Sequence, residues 1–400
     1  MINSISLYTE EIDDFEVMYN DIKAEAGDFE FKKNSMAIVF AEEETDYQGL
    51  YSELRKHWDF PIIGCTAMSM LVGKHGYCGN GVSFLILTSD DCEFSTGIVE
   101  NVGDEDYEKR VKDKYQELKS ALMLEPKVVI CYGSVVAGVD VISAEDSHRA
   151  VCDACEGLPV FGGMASDSFS FSNFKVFYNE TEALHAQVMA LVAGNCKPRF
   201  VSVNSVKNKA TFSYEISKSE GNKVYRLGNN TFIDVMKREN MFVEKEDVNY
   251  DYILSPIVLT IKQSDGNYVT VARNLTNYNL EEGSAIFMGN MPEGSLLSIG
   301  LIQKEDVQAS VDKALHDILS GIIYDADSEY HTLLCTSCCA RFIALASDID
   351  AEARAYSGAL DENMSLAGFY SFGEYCPVKG ETGDNLYNMF HNFTFAIMAL

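Results

Sequence analysis

The chain has 400 residues, 47% apolar and 23% charged, which is material for two domains with well-filled cores. Its 61 acidic residues outnumber 31 basic ones and leave a net charge of −30, which argues against a nucleic-acid backbone or an anionic membrane surface as partner. No apolar run approaches the ~18 residues that span a bilayer, and Met1-Ile-Asn-Ser-Ile-Ser-Leu lacks the basic and apolar regions of an export signal, so a cytoplasmic location is expected.

Ile12, Phe15, Tyr19 and Ile22 share one face of a helix expected over residues 10–26, which Thr9 can cap. A strand is expected at 36–40, a helix from Tyr47 to Trp58 in sequence, then strands at 60–65 and 82–87. That succession predicts a parallel βαβ unit. Val111, Tyr115, Leu118 and Leu122 mark a second amphipathic helix, followed by a strand at 128–132 and a helix at 143–157 that opens on the capping-box pair Ser143 and Asp146. Strands at 174–178 and 187–193 close the first half. The second half repeats the order: a helix at 304–320, a strand at 333–338, a helix at 350–360, a glycine motif, and a terminal strand at 393–400.

The repetition is numerical as well. Ile130 and Cys335 fall in equivalent expected strands 205 residues apart, and the same spacing separates Arg149-Ala150 from Arg354-Ala355 and Gly163 from Gly368. His185 and His391 stand 206 apart, and Gly97-Ile-Val stands 203 before Gly300-Leu-Ile. Five matches in one order suggest an internal duplication within an α/β fold, with two similar domains at 1–200 and 201–400 and a junction near 194–208.

Chemical motifs are sparse. There is no G-x-S-x-G elbow, no G-x-x-x-x-G-K and no H-E-x-x-H. The glycine-rich stretch from Gly73 to Gly81 leads into a strand, not a helix, so it lacks a phosphate-binding helix N-terminus and reads as an inter-strand loop. Eleven cysteines without framework spacing read as reduced, mostly buried thiols. Cys152/Cys155 and Cys335/Cys338 have C-x-x-C spacing, but neither pair has a second pair at zinc spacing, so no metal and no cofactor are expected. Two loops stand out: Gly162-Gly163-Met-Ala-Ser-Asp167 and Gly368-Phe-Tyr-Ser-Phe-Gly373-Glu374, each placing glycines and then an acid near a strand pair. A solvated turn is an equal reading on these grounds. Arg341 is expected at the end of an apolar strand, where an arginine pairs with a buried acid or grips a carboxylate; Glu374 is the expected partner.

These residues resemble the FIST family of sensory modules. The likeness rests on Ile63-Gly64-Cys65-Thr66-Ala67 and Pro159-Val-Phe-Gly-Gly-Met-Ala-Ser-Asp167 in the first half. In the second it rests on Arg273, Ser337-Cys-Cys-Ala-Arg341, Ala367-Gly-Phe-Tyr-Ser-Phe-Gly-Glu374 and His391-Asn-Phe-Thr394. The family pattern has Gln where this chain has Phe393 and Gly where it has Ala340. The resemblance implies tandem FIST N and FIST C domains that sense a small molecule, an amino acid or similar metabolite. With no stretch left over for an output domain, a separate signalling protein is the expected partner.

The leading expectation is a non-catalytic ligand sensor with its site at the carboxyl ends of parallel strands. Gly64, Cys65, Thr66, Gly162, Gly163 and Asp167 are expected to line it from the first half. Arg273, Cys338, Arg341, Gly373, Glu374, His391 and Asn392 are expected from the second, with Arg341 and glycine amides taking a carboxylate and Glu374 or Asp167 an ammonium. Two alternatives stay open: an enzyme with Cys338 or Cys339 as nucleophile and His391 as base, and an acidic scaffold for a basic protein partner.

Overall fold

The computed structural model describes residues 2–135, 143–206, 208–209, 212–242, 256–323, 330–360 and 364–400. Its mixed α/β class is the one expected. The first part of the chain runs Asn3–Thr9 (β1), Phe15–Ala26 (α1), Asn34–Ala41 (β2), Tyr47–Leu54 (α2), Ile62–Thr66 (β3), Met70–Val72 (β4), Gly76–Cys78 (β5) and Val82–Ser89 (β6). The same order returns in Cys92–Val99 (β7), Tyr107–Ser120 (α3), Pro126–Gly133 (β8), Ala144–Ala154 (α4), Val160–Met164 (β9), Val176–Tyr178 (β10), Thr181–Ala183 (β11) and Gln187–Gly194 (β12).

A third copy opens with Arg199–Asn204 (β13), inside the stretch expected as a junction. An insertion then follows: Asn208–Lys209 (β14), Tyr214–Glu220 (β15), Lys223–Leu227 (β16), Asn230–Thr231 (β17), Phe232–Arg238 (α5), Ile257–Lys262 (β18), Tyr268–Arg273 (β19), Leu275–Asn279 (β20), Ser284–Phe287 (β21) and Leu296–Leu301 (β22). The copy resumes with Lys304–Ile323 (α6), Thr332–Cys338 (β23), Cys339–Leu345 (α7), Ala351–Ser357 (α8), Ser365–Ser371 (β24), Glu374–Lys379 (β25), Leu386–His391 (β26) and Thr394–Ala399 (β27).

Each unit builds one sheet by the same rule. A parallel pair (β2/β3, β8/β9 or β23/β24) is joined on one side by an antiparallel return strand (β6, β12 or β27), and that strand carries the edge strand β1, β7 or β13. The other side is completed by a neighbour: β10–β11 of the second unit adds to β3, β25–β26 of the third to β9, and β4–β5 of the first to β24. The exchange is cyclic, so no unit completes its own sheet. The expected duplication thus extends to three copies, and the halves before and after residue 200 share sheets. At the centre, Phe40, Tyr132 and Phe369, one from each unit, pack with ring centroids 4.6–5.8 Å apart. The insertion is a nine-stranded antiparallel layer with its own core of Ile216, Leu259, Val271 and Phe287.

Several details differ from the expectation. Helix α1 starts at Phe15 because the Asp14 carboxylate accepts the Glu16 and Val17 amides; Thr9 lies in β1. Helix α4 does carry the Ser143/Asp146 capping box. In register, the residue facing the close-packed glycine is Cys131 in the second unit and Cys335 in the third, so Ile130 is one residue off, and Gly162 rather than Gly163 matches Gly368. Phe393, not His391, takes the place of His185, and both have positive φ, 59° and 49°. Gly300 lies in β22 of the insertion; the counterpart of β7 is β13.

Candidate functional site

The glycines of the expected site serve strand packing. A Cβ on Gly64, Gly162 or Gly368 would stand 1.8, 1.9 or 2.2 Å from the carbonyl oxygen of Val39, Cys131 or Cys335 on the adjoining parallel strand. The same contact in all three units explains the three glycines without a ligand. A Cβ on Gly163 would meet the Ser371 hydroxyl at 2.7 Å, and one on Gly373 the Phe390 ring at 2.4 Å. Cys65 is buried, and the Thr66 hydroxyl accepts the Lys175 amide at 2.9 Å.

Three charged candidates are already saturated. Asp167 is fully buried and accepts the Phe171, Ser172 and Asn173 amides and the Ser170 hydroxyl, so its carboxylate holds the loop after β9. Arg273 pairs with Glu145 at 2.8 Å and donates to the Phe390 and Ala272 carbonyls, fastening the insertion to the start of α4. Arg341 is the third residue of helix α7, and not on the strand. Its partner is Glu352 of α8 at 2.9 Å, not Glu374. Its other donors reach the hydroxyls of Ser205, Ser310 and Ser337 and the Val307 carbonyl. Every guanidinium nitrogen is occupied, so Arg341 has no donor left for a ligand carboxylate.

Glu374 is different. It begins β25 opposite Gly163 of β9 and His391 of β26, is wholly buried, and neither carboxyl oxygen has a well-formed hydrogen bond, the Thr394 amide and the Cys338 thiol being its weak donors. Burial pushes its pKa well above the usual carboxylate value, against the pull of the Arg341 charge. Asn392, also buried, has an unpartnered Oδ1. Among the described residues, six of eleven such orphan atoms belong to this third unit: Thr336, Tyr370, Glu352 Oε2, Asn392 and both oxygens of Glu374. In register Glu374 occupies the place of Met70 in the first unit and Val176 in the second, two apolar residues. The third copy therefore departs from the repeat by burying a carboxyl group.

The neighbours of Glu374 are held in uncharged forms. His391 donates from Nε2 to the Cys376 carbonyl at 3.0 Å, and burial lowers its pKa to about 4. Burial raises the Cys338 and Cys339 thiols well above their ordinary value, and the Glu374 carboxyl adds to it. Neither is set up as a thiolate nucleophile. No group of three or more metal-ligating side chains occurs among the described residues. A void of about 10 Å³ is lined by Met164, Phe171, Phe372 and Phe390.

Two family models match the chain in tandem: the FIST N domain over residues 35–230 and the FIST C domain over 234–377. This chain belongs to the FIST family. FIST domains are sensory domains of signal transduction. No curated protein matches the chain, so the family is the extent of what likeness supplies. The boundary between the two FIST models, at 231–233, falls inside the insertion, between β17 and α5. Glu352, the true partner of Arg341, was missed by sequence reasoning; its only signal was an acid on the buried face of α8 beside Ala351, Ala353 and Tyr356. Ser205 and Ser310 of the arginine cradle, and Glu145 opposite Arg273, gave none. No described helix is long and apolar enough to cross a membrane.

Proposed function

We propose that this FIST protein senses a small metabolite carrying a primary ammonium group, bound at the carboxyl ends of β23 and β24, and signals through a separate protein. The observation that carries the reading is the unsatisfied acceptor set. Glu374 Oε1 and Oε2 and Asn392 Oδ1 are three buried acceptors without a well-formed hydrogen bond, and an ammonium has three donors and the missing charge. Burying an ionised carboxyl alone costs several kcal/mol, so Glu374 keeps its proton without a counter-charge, and an incoming cation reverses that balance. Arg341 and Asp167, both saturated, are no longer part of the proposed site. Ten other thiols left free beside Cys338 fit a reducing compartment, and we place the protein in the cytoplasm.

The test is a thermal-shift screen of amines and amino acids, each against its analogue without the amine. A ligand of the native state raises the midpoint by mass action. The expected result is a shift with one or more amines and none with the matched analogue. Equal shifts from both members of a pair, or no shift from any amine, would sink the reading.

A further inference from the structure

Away from the FIST site, two thiols meet where the second unit passes to the third. Gly194 closes β12 directly opposite Cys92, the first residue of β7. Gly194 turns there with φ of 111°, and the backbones run so close that a Cβ on it would lie 3.0 Å from Cys92 Cα. Cys196 follows two residues on, and its thiol is in hydrogen-bonding contact with that of Cys92. Cys92 is buried, with its amide donating to the Ser89 hydroxyl at 3.0 Å. Cys196 is half-buried and opens into a cleft of about 720 Å³ whose wall also carries Asp91, Lys127 and Lys197. Among the eleven cysteines only Cys152 shares that exposure, and its sulfur faces the His148 ring at 3.3 Å.

We propose that Cys92 and Cys196 form a dithiol site that a peroxide oxidises to an intramolecular disulfide. The surroundings favour it. One proton bridges the two sulfurs, which is the main cause drawing Cys92 down to about 6 against the effect of burial. The shared proton stays with Cys196, whose thiol the Cys92 contact and burial raise against the pull of Lys127. A buried thiolate that can take the proton of a second thiol opening into a cleft activates that second sulfur for oxidation and stands ready to resolve it. The half-buried Cys196 sulfur passes its proton to the Cys92 thiolate and attacks one peroxide oxygen; the O–O bond breaks, a sulfenic acid forms, and the leaving oxygen takes a proton from solvent and departs as water or an alcohol. The Cys92 sulfur then attacks the sulfenic sulfur; the S–S bond forms, the S–O bond breaks, and the hydroxyl leaves as water with the thiol proton. Two thiols lose two electrons and the peroxide gains them. The product fastens the start of β7 to the segment entering β13, across the connection between units.

The experiment treats the native full chain with dilute hydrogen peroxide, counts remaining thiols, and maps peptides without reduction. The expected result is the loss of two of eleven thiols, recovered as a Cys92–Cys196 linked peptide. Cys152→Ser should behave as the wild type in this respect, and Cys196→Ser should leave Cys92 reduced at the same dose. A disulfide dimer through Cys196, linkage of another pair, or an unchanged thiol count at a dose that oxidises glutathione would each overturn the proposal.

Discussion

Glu374→Gln should change the pH dependence of stability more than stability itself. In the native state the carboxyl is buried with no ion pair and no well-formed hydrogen bond, and burial holds its pKa well above the ordinary value of 4.5. Below pH 4.5 both folded and unfolded states keep the proton, so the group contributes nothing to the pH slope. Above it the unfolded chain releases the proton while the native protein retains it, and stability falls as pH rises toward the raised native value. Linkage sets that slope at about 1.4 kcal/mol per pH unit for a single group. Glutamine has nearly the same volume and no proton to lose, so the slope is absent from the variant. Between two pH values one unit apart, above 4.5 and below the native value, the variant should therefore gain about 1.4 kcal/mol on the wild type. Denaturant melts of both proteins at the two pH values read the difference, and an infrared difference spectrum should show the protonated carboxyl stretch only in the wild type. Parallel pH profiles, or a large loss of stability in the variant at both pH values, would refute the reasoning, because either would mean an ionised and paired Glu374.

Glu352→Gln should instead be severe: it leaves Arg341 buried without a counter-charge, an expected loss of about 3–5 kcal/mol in a denaturant melt, and Arg341→Met in the same chain should recover part of it. Alanine at Gly64, Gly162 or Gly368 should each destabilise by roughly 1–3 kcal/mol or more, since a Cβ meets a carbonyl oxygen. Gly358→Ala, where nothing lies within 4 Å, should be neutral within about 0.5 kcal/mol. His148 and His391, lowered to about 3 and about 4 by burial, stay neutral in the native state while the unfolded chain takes up protons. Each therefore removes stability as pH falls from about 6.5, by about 1.4 kcal/mol per unit until its native value is reached. Two imidazole signals that do not titrate down to pH 5 in an NMR series check this, and titration of both near 6.5 would contradict it.

The strands and helices of this chain were readable because apolar periodicity states which face is buried. The number of units was less so. Gly64 repeats the glycine of Gly162 and Gly368, but its neighbour on the parallel strand is Val39 where the other two units have Cys131 and Cys335. The cyclic exchange of hairpins was invisible for a different reason: Met70–Val72 and Glu374–Lys379 look like local hairpins, and which sheet edge receives them is decided by tertiary packing. The one-residue slip at Ile130 mattered because neighbours on a strand face opposite ways. The candidate site divided along the same line. Residue types at Glu374, Asn392 and His391 were legible from the family pattern, whereas the isolation of Glu374 depends on Arg341 having chosen Glu352, an acid that sequence alone reads as belonging to a helix first turn.

The claim that Glu374 receives an ammonium group has one direct measurement. If Glu374 keeps its proton without a counter-charge, binding a cation there must expel that proton. Calorimetric titration of the best amine from the screen, in two buffers of different ionisation enthalpy near neutral pH, counts protons released per ligand bound. The account predicts release of about one proton by the wild type and none by Glu374→Gln, which should also lose affinity. Tight amine binding without proton release, or unchanged binding by the variant, would contradict it.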